Sequence, residues 1–156
     1  MFSAGGKISE VYGPIAAEQG CIVIDNSSKF RMDNDVPLIV PEVNIEMLEH
    51  YRTTNIVANP NCSTIQMVVA LKPLEDLASI NRINVSTYQS TSGAGKVAME
   101  ELFNQTKGIF SNQPVDPESF TKQISFNVIP QIGPFLENGN TEEEQKMKQV
   151  CPTRTL

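Results

Sequence analysis

The sequence predicts an α/β protein. Apolar runs of strand length alternate with longer stretches of helical period, glycine and proline punctuate the junctions, and no repeat interrupts the alternation. With 40% hydrophobic and 19% charged residues among 156, the chain has enough apolar material to bury a core and too little charge to remain disordered.

Lys7 to Gln19 has the length and pattern of a helix, closed by Gly20, which accepts the conformation of a helix end. Cys21-Ile-Val-Ile-Asp25 reads as a buried parallel strand. After a polar loop to Asp35, Pro37-Leu-Ile-Val-Pro41 leaves room for a very short strand, because its prolines cannot donate to a ladder. Asn44 to Tyr51 reads as a short helix and Asn55-Ile-Val-Ala58 as the next strand. Asn59-Pro60-Asn61 then turns the chain into a segment apolar on nearly every side. Ile65, Val68 and Val69 form one stripe and Met67, Ala70 and Leu71 another, so a buried helix is expected. Pro73 removes a backbone bond, and Leu74 to Ala78 adds a turn only after a kink. Arg82 to Tyr88 alternates with the period of a pleated strand. Gly95 to Lys107 reads as a helix with Met99, Leu102 and Phe103 as its core stripe and Gly108 as its stop. From Ile109 to Gly139 loops dominate, with one strand candidate at Phe126-Asn-Val-Ile-Pro130. Thr141-Glu-Glu-Glu144 has the spacing of a capping box and opens a last helix, which Pro152 ends.

The net charge of -6, with Lys and Arg scattered, argues against a nucleic-acid partner. No apolar run is long enough to cross a bilayer, and Met-Phe-Ser-Ala-Gly-Gly has no secretory character, so a cytoplasmic protein is the default expectation. Cys21, Cys62 and Cys151 are an odd, widely spaced set that fits neither a disulfide framework nor a zinc site, and no metal is expected. The single histidine, His50, sits in Glu-His-Tyr-Arg and reads as a solvated residue of a short polar helix.

The most informative stretch is Ala58-Asn-Pro-Asn-Cys-Ser-Thr-Ile-Gln66, which places Cys62 where a helix begins. Unpaired amides and the helix dipole there favour the thiolate, which is the nucleophile, and the same amides can hold an oxyanion. The competing reading is an inert cysteine serving as a small hydrophobe, and position alone leaves both open.

Asn59-Pro-Asn-Cys-Ser-Thr64 resembles the catalytic segment of aspartate-semialdehyde dehydrogenases. Phe2-Ser-Ala-Gly-Gly6, Val23-Ile-Asp-Asn-Ser-Ser-Lys-Phe-Arg-Met32, Val36-Pro-Leu-Ile-Val-Pro-Glu-Val-Asn44 and Val85-Ser-Thr-Tyr-Gln-Ser90 resemble that family too, in the family's order. The resemblance extends to about Gln149 and favours the reactive reading of Cys62. It implies NADP-dependent interconversion of aspartyl phosphate and aspartate semialdehyde through a cysteine thioester, on the route to lysine, threonine and methionine, in a homo-oligomer.

In that reading Cys62 is the nucleophile and Gln89 orients the substrate or acyl group; taken alone, Gln89 is a solvated or backbone-bonding side chain at a strand end. Arg31 grips phosphate or the acyl phosphate, where by itself it is a surface charge. Glu143 meets the substrate amine and Lys146 the phosphate, although the same spacing makes an ordinary surface ion pair. Ser92 and Gly93 lie against the nicotinamide half of NADP, which is compatible with a plain strand-to-helix turn. Ser3, Ala4, Gly5 and Gly6 match a segment near the cofactor.

The resemblance divides the chain into the C-terminal portion of an NADP-binding, Rossmann-like domain over residues 1–61 and the first part of an α+β catalytic and dimerisation domain over 62–156. The family's Gly-x-x-Gly-x-Val-Gly turn has no counterpart in the sequence, and its catalytic histidine and a substrate-binding arginine belong to a later part of the family's sequence. The tail Val150-Cys-Pro-Thr-Arg-Thr-Leu156 departs from it as well. An internal fragment, truncated or frame-shifted and poorly active alone, is therefore the expectation. The alternatives are another acyl-cysteine dehydrogenase, such as a glyceraldehyde-phosphate or acetylglutamyl-phosphate reductase relative, and a non-catalytic remnant that associates with a full-length subunit.

Overall fold

The structure, a computed structural model, describes residues 1–150 of the chain; Cys151 and Pro152 lie outside the described residues. Two compact units are present: residues 1–83 together with the last helix, and residues 84–141.

The first unit is built on parallel strand pairing. Strand β1 (Val23–Asp25) pairs with β2 (Ile56–Ala58) in the register Val23 to Ile56 and Asp25 to Ala58. Phe2 adds a parallel bridge on the far side of β1, and Leu38 adds one on the far side of β2. The predicted strand at Pro37–Pro41 is thus reduced to a single bridge, as its flanking prolines require. Helix α1 (Gly6–Glu18) connects Phe2 to β1 and ends before Gly20, whose φ is +82°. Its inner face carries Gly13, where a Cβ would stand 3.2 Å from the Phe30 ring, and Ala17. Ala17, Val23, Phe30, Val36, Leu38, Ile56 and Ala58 form the core, with Phe2 and Ala16 packed against it.

β1 is parallel as expected but buried on one face only: Val23 and Asp25 are inside, whereas Ile24 is 49% exposed. Helix α2 (Pro41–Asn44) leads into a 3-10 helix, Ile45–Thr53, where a short helix was expected. His50 is exposed there, and Arg52 lies over the Tyr51 ring.

Helix α3 (Cys62–Glu75) follows β2 and packs through Val68, Ile65 and Met67 against Val40 and Val43. The expectation that it is buried on nearly every side is corrected. Only Thr64 and Val68 are fully buried, and Val69, Ala70 and Leu74 are exposed. The helix runs through Pro73 and ends at Glu75. The donor that Pro73 lacks faces the turn containing exposed Val69, where water can serve the vacated carbonyl. Helix α5 (Glu142–Val150) starts directly after Thr141, at the predicted cap position, and packs on α3.

The second unit departs further from expectation. Residues 82–88 form no strand: among the described residues they have no ladder partner, and Val85 and Tyr88 are exposed. A period-two pattern without a neighbouring strand leaves its backbone groups to water. A 3-10 turn (Thr91–Ala94) precedes helix α4 (Lys96–Phe110). Of the α4 stripe assigned to the core, Leu102 is half-buried and the other two residues are exposed. Met99 and Phe103 are 44% and 68% exposed, and the buried positions are Ala98, Glu101, Gln105 and Gly108. A polar network claims that face. Glu101 accepts from the Ser119 N–H at 2.5 Å and from Gln105 Nε2 at 2.9 Å, and Gln105 Oε1 accepts from the N–H groups of Ile124 and Ser125. The irregular segment after α4 thereby satisfies its backbone on two side chains.

Gly108 is inside α4 rather than its stop. The chain folds back so closely that the Gln113 N–H donates to Gly108 O at 2.8 Å, and a Cβ on Gly108 would run into the Gln113 carbonyl oxygen. The strand candidate at Phe126–Pro130 is absent too. Phe126 has a φ of +55°, outside the strand region, and its ring meets Phe110 edge-on.

Candidate active site

The site begins with the way β2 ends. Asn59 continues the strand, its N–H donating to the Asp25 carbonyl at 2.8 Å, and buried Pro60 turns the chain. Asn61 then caps α3. Its Oδ1 accepts from the Thr64 N–H at 3.0 Å and from the Thr64 hydroxyl at 3.2 Å, the arrangement that satisfies an orphan donor at a helix start. Cys62 is the next residue, the first of the helix, and it is exposed. Cys62 is therefore not the small buried hydrophobe of the competing reading. Cys21 is exposed as well, ahead of β1, so exposure alone does not distinguish the two.

Arg31 is half-buried beside this turn. Its Nε donates to Asn59 O at 2.8 Å and its Nη2 to Asn26 O at 2.9 Å, while Asn59 Nδ2 donates to Asn26 Oδ1 at 2.7 Å. The guanidinium thus clamps the loop after β1 to the turn before Cys62. Burial lowers the Arg31 pKa, and the negative charges of Asp25, Glu143 and Cys62 only partly offset that effect. Asp25 lies beneath, fully buried, with the hydroxyls of Ser9 and Ser27 donating to its two oxygens at 2.5 and 2.6 Å.

Glu143 and Lys146 do form the expected ion pair on α5, at 2.7 Å, and Lys146 also stands 3.5 Å from Glu142. Burial alone would lower the Lys146 pKa, but the hydrogen bond and charge of Glu143, with Glu142 adding to them, outweigh it and the net shift is upward. The pair is not simply a solvated surface contact: Asn61 Nδ2 donates to Glu143 Oε2 at 2.8 Å. Cys62, Arg31, Glu143 and Lys146 therefore belong to one unit and one connected neighbourhood.

Ser3, Ala4 and Gly5 are exposed and lead into α1, with Gly5 at its N-cap. Gln89, Ser92 and Gly93 belong to the second unit, where all three are exposed. There Ser90 organises the turn ahead of α4: its hydroxyl accepts from the Ser92 hydroxyl at 3.0 Å, and its carbonyl accepts from the Gly93 N–H at 3.0 Å. The sequence reading did not assign roles to Asn26, Asn59, Asn61, Asp25, Ser9 or Ser27. The one available signal was at Asn61, a capping residue type three positions before Thr64 at the edge of an apolar run.

An exposed cysteine at a helix start after a parallel strand, with Arg31 and the Glu143–Lys146 pair in the same connected neighbourhood, is the arrangement a cysteine-dependent enzyme would need. A family model described as semialdehyde dehydrogenase, dimerisation domain, matches residues 71–156, and one described as semialdehyde dehydrogenase, NAD binding domain, matches residues 1–51. The chain belongs to the semialdehyde dehydrogenase family. Within it, the chain is 60% identical over 147 residues to the aspartate-semialdehyde dehydrogenase of Shewanella sp. strain DB6705 and 57% identical over 147 residues to aspartate-semialdehyde dehydrogenase 2 of Vibrio cholerae. Each alignment covers 94% of this chain and 44% of the relative, so the chain spans less than half the length of these curated relatives. The crystal structure of aspartate semialdehyde dehydrogenase II from Vibrio cholerae superposes with a TM-score of 0.95 at 55% identity, covering 98% of this chain and 46% of that one. The same enzyme complexed with ASA gives a TM-score of 0.91.

Proposed function

We propose that this chain carries the acyl-transfer chemistry of an aspartate-semialdehyde dehydrogenase, interconverting aspartyl phosphate and aspartate semialdehyde with NADP, in amino-acid biosynthesis. The observation that carries the reading is exposed Cys62 at the first position of α3, joined through Asn61 to the Glu143–Lys146 pair. In the reductive direction the Cys62 thiolate attacks the acyl carbon of aspartyl phosphate. The carbon–oxygen bond to phosphate breaks, and phosphate leaves with the electron pair, giving a thioester. Arg31 and Lys146 supply positive charge for the phosphate, Glu143 takes the substrate amine, and Gln89 orients the acyl group. The chemistry that the reduced cofactor, NADPH, would supply when bound is a hydride, enough to convert the thioester to aldehyde, free the thiolate and leave NADP.

Residues Ser3–Gly6 and Ser92–Gly93 are the segments to hold the cofactor. Their fit rests on open backbone: apart from each glycine and its chain neighbours, no atom of the described residues lies within 4 Å of the position a Cβ would take on Gly5 or Gly93. That leaves room for a ring or a pyrophosphate against the main chain. Homo-oligomerisation belongs to the same proposal, on the strength of the matched dimerisation-domain model.

The first half-reaction needs no cofactor and is the direct test. The purified chain is incubated with aspartyl phosphate, and its mass is followed before and after peptide mapping. Cys62 is expected to gain one aspartyl group that hydroxylamine removes. Absence of the adduct, or equal acylation of Cys21, would refute the assignment of Cys62.

A further inference from the structure

We infer that Asn61 is a positioning residue: its side-chain amide ties the start of the nucleophile's helix to the Glu143 carboxylate and so fixes where a substrate amine is held relative to Cys62. The inference rests on the reading of Glu143 as the amine's partner.

The orientation of the amide is dictated by its surroundings. The Thr64 N–H is obligatorily a donor, and it points at Asn61 Oδ1 at 3.0 Å, with the Thr64 hydroxyl at 3.2 Å. Nδ2 must therefore face the other way, where it meets Glu143 Oε2 at 2.8 Å. Turning the amide over would set nitrogen against the Thr64 N–H and oxygen against a carboxylate, a loss on both sides. Asn61 is 7% exposed and Thr64 fully buried, so water does not readily replace these partners. The second Glu143 oxygen is held by Lys146 at 2.7 Å. Both carboxylate oxygens are thus tied, one to α5 itself and one to the residue adjacent to Cys62.

A glutamate side chain has three rotatable bonds and by itself locates a ligand poorly. Held by two donors, it is ordered before a substrate arrives, and less conformational freedom remains to be lost on binding. The amine of an aspartyl substrate and the Cys62 sulfur would then be referenced to one rigid junction between α3 and α5.

The test compares two acyl donors on the full chain: aspartyl phosphate, which has an amine, and acetyl phosphate, which does not. Acylation of Cys62 is followed by mass spectrometry in the wild type, Asn61→Ser and Asn61→Ala. Serine keeps a capping oxygen but has no donor able to reach Glu143, whereas alanine loses both functions. Asn61→Ser is expected to lose roughly tenfold in its preference for aspartyl over acetyl phosphate, the effect of removing one hydrogen bond to a charged group. The loss should fall mainly on aspartyl phosphate. Asn61→Ala should slow both donors. An unchanged preference in Asn61→Ser, or a parallel loss with both donors, would reduce Asn61 to a helix cap and overturn the inference.

If wild-type Cys62 accepts an acyl group from neither donor, the functional reading fails instead, and the link is then judged by NMR alone. The side-chain amide resonances of Asn61 should move in Glu143→Gln and stay in place in Glu142→Gln. Resonances unmoved by Glu143→Gln would remove the contact itself.

Discussion

Replacing Arg31 by alanine should destabilise the first unit, in addition to removing positive charge near Cys62. The guanidinium donates to Asn59 O at 2.8 Å in a part-buried contact and to Asn26 O at 2.9 Å in an exposed one. A hydrogen bond from a charged group contributes ~1.5–3 kcal/mol when protected from water and less when solvated, so the two together come to about 2 kcal/mol. For a unit of this size that corresponds to a fall of roughly 10 °C in Tm. Arg31→Lys keeps the charge but replaces the planar fork with a single ammonium, and about half the loss should remain. The measurement is urea unfolding followed by far-UV circular dichroism, with the midpoint falling and the slope unchanged. Although burial lowers its pKa, the guanidinium stays charged throughout the neutral range, so the deficit should be equal at pH 6 and pH 9. A change below ~0.5 kcal/mol in Arg31→Ala would show that the clamp contributes nothing to folding and would leave Arg31 only a role toward anions.

Two further outcomes concern the second unit. Burial pushes the Glu101 pKa up, but hydrogen bonds from Ser119 and its neighbours outweigh this and hold it below its ordinary 4.5. Its stabilising effect is then fully present above that ordinary value and lost as pH falls through the lower folded value. Wild type should be more stable than Glu101→Gln at pH 6, with the gap closing by pH 3 in urea titrations, and a gap independent of pH would refute the role of the carboxylate. Gly108→Ala should cost ~1–3 kcal/mol despite alanine's better helix propensity, because its Cβ meets the Gln113 carbonyl; a stabilised variant by thermal unfolding would contradict the close approach.

The alternation of elements was legible where apolar spacing and turn residues agreed, as in α1 with Gly20 and in the pairing of β1 with β2. It was not legible where partners decide. Residues 82–88 alternate correctly for a strand, yet a strand exists only if another offers its backbone, and composition cannot supply that information. In α4 Met99 and Phe103 face outward, because Glu101 and Gln105 bind backbone donors from residues 18 to 20 positions further on. A polar residue scores against burial until its distant partners are known. For the same reason the apolar faces of α3 do not by themselves mean burial: only Thr64 and Val68 are enclosed.

At the site, the sequence points to Cys62 but not to what holds the turn before it. The segments Val23 to Met32 and Asn59 to Thr64 were read as separate motifs, but structurally they are one object. The Asn59 N–H donates to Asp25 O, Asn59 Nδ2 to Asn26 Oδ1, and Arg31 to the carbonyls of both Asn26 and Asn59. Asp25 is held in turn by Ser9 and Ser27, so the register between β1 and β2 extends past the strand ends into the turn that delivers Cys62. This accounts physically for the two segments occurring together. Asn59 and Asn26 meet side chain to side chain and Arg31 Nε reaches the Asn59 carbonyl, so altering one segment leaves a donor or acceptor of the other without its partner. The position of Cys62 is then a property of the strand pair rather than of the six residues around it. A substitution at Asn26, far away in sequence, should disturb Cys62 more than one at Gln66, an exposed residue one turn along the same helix.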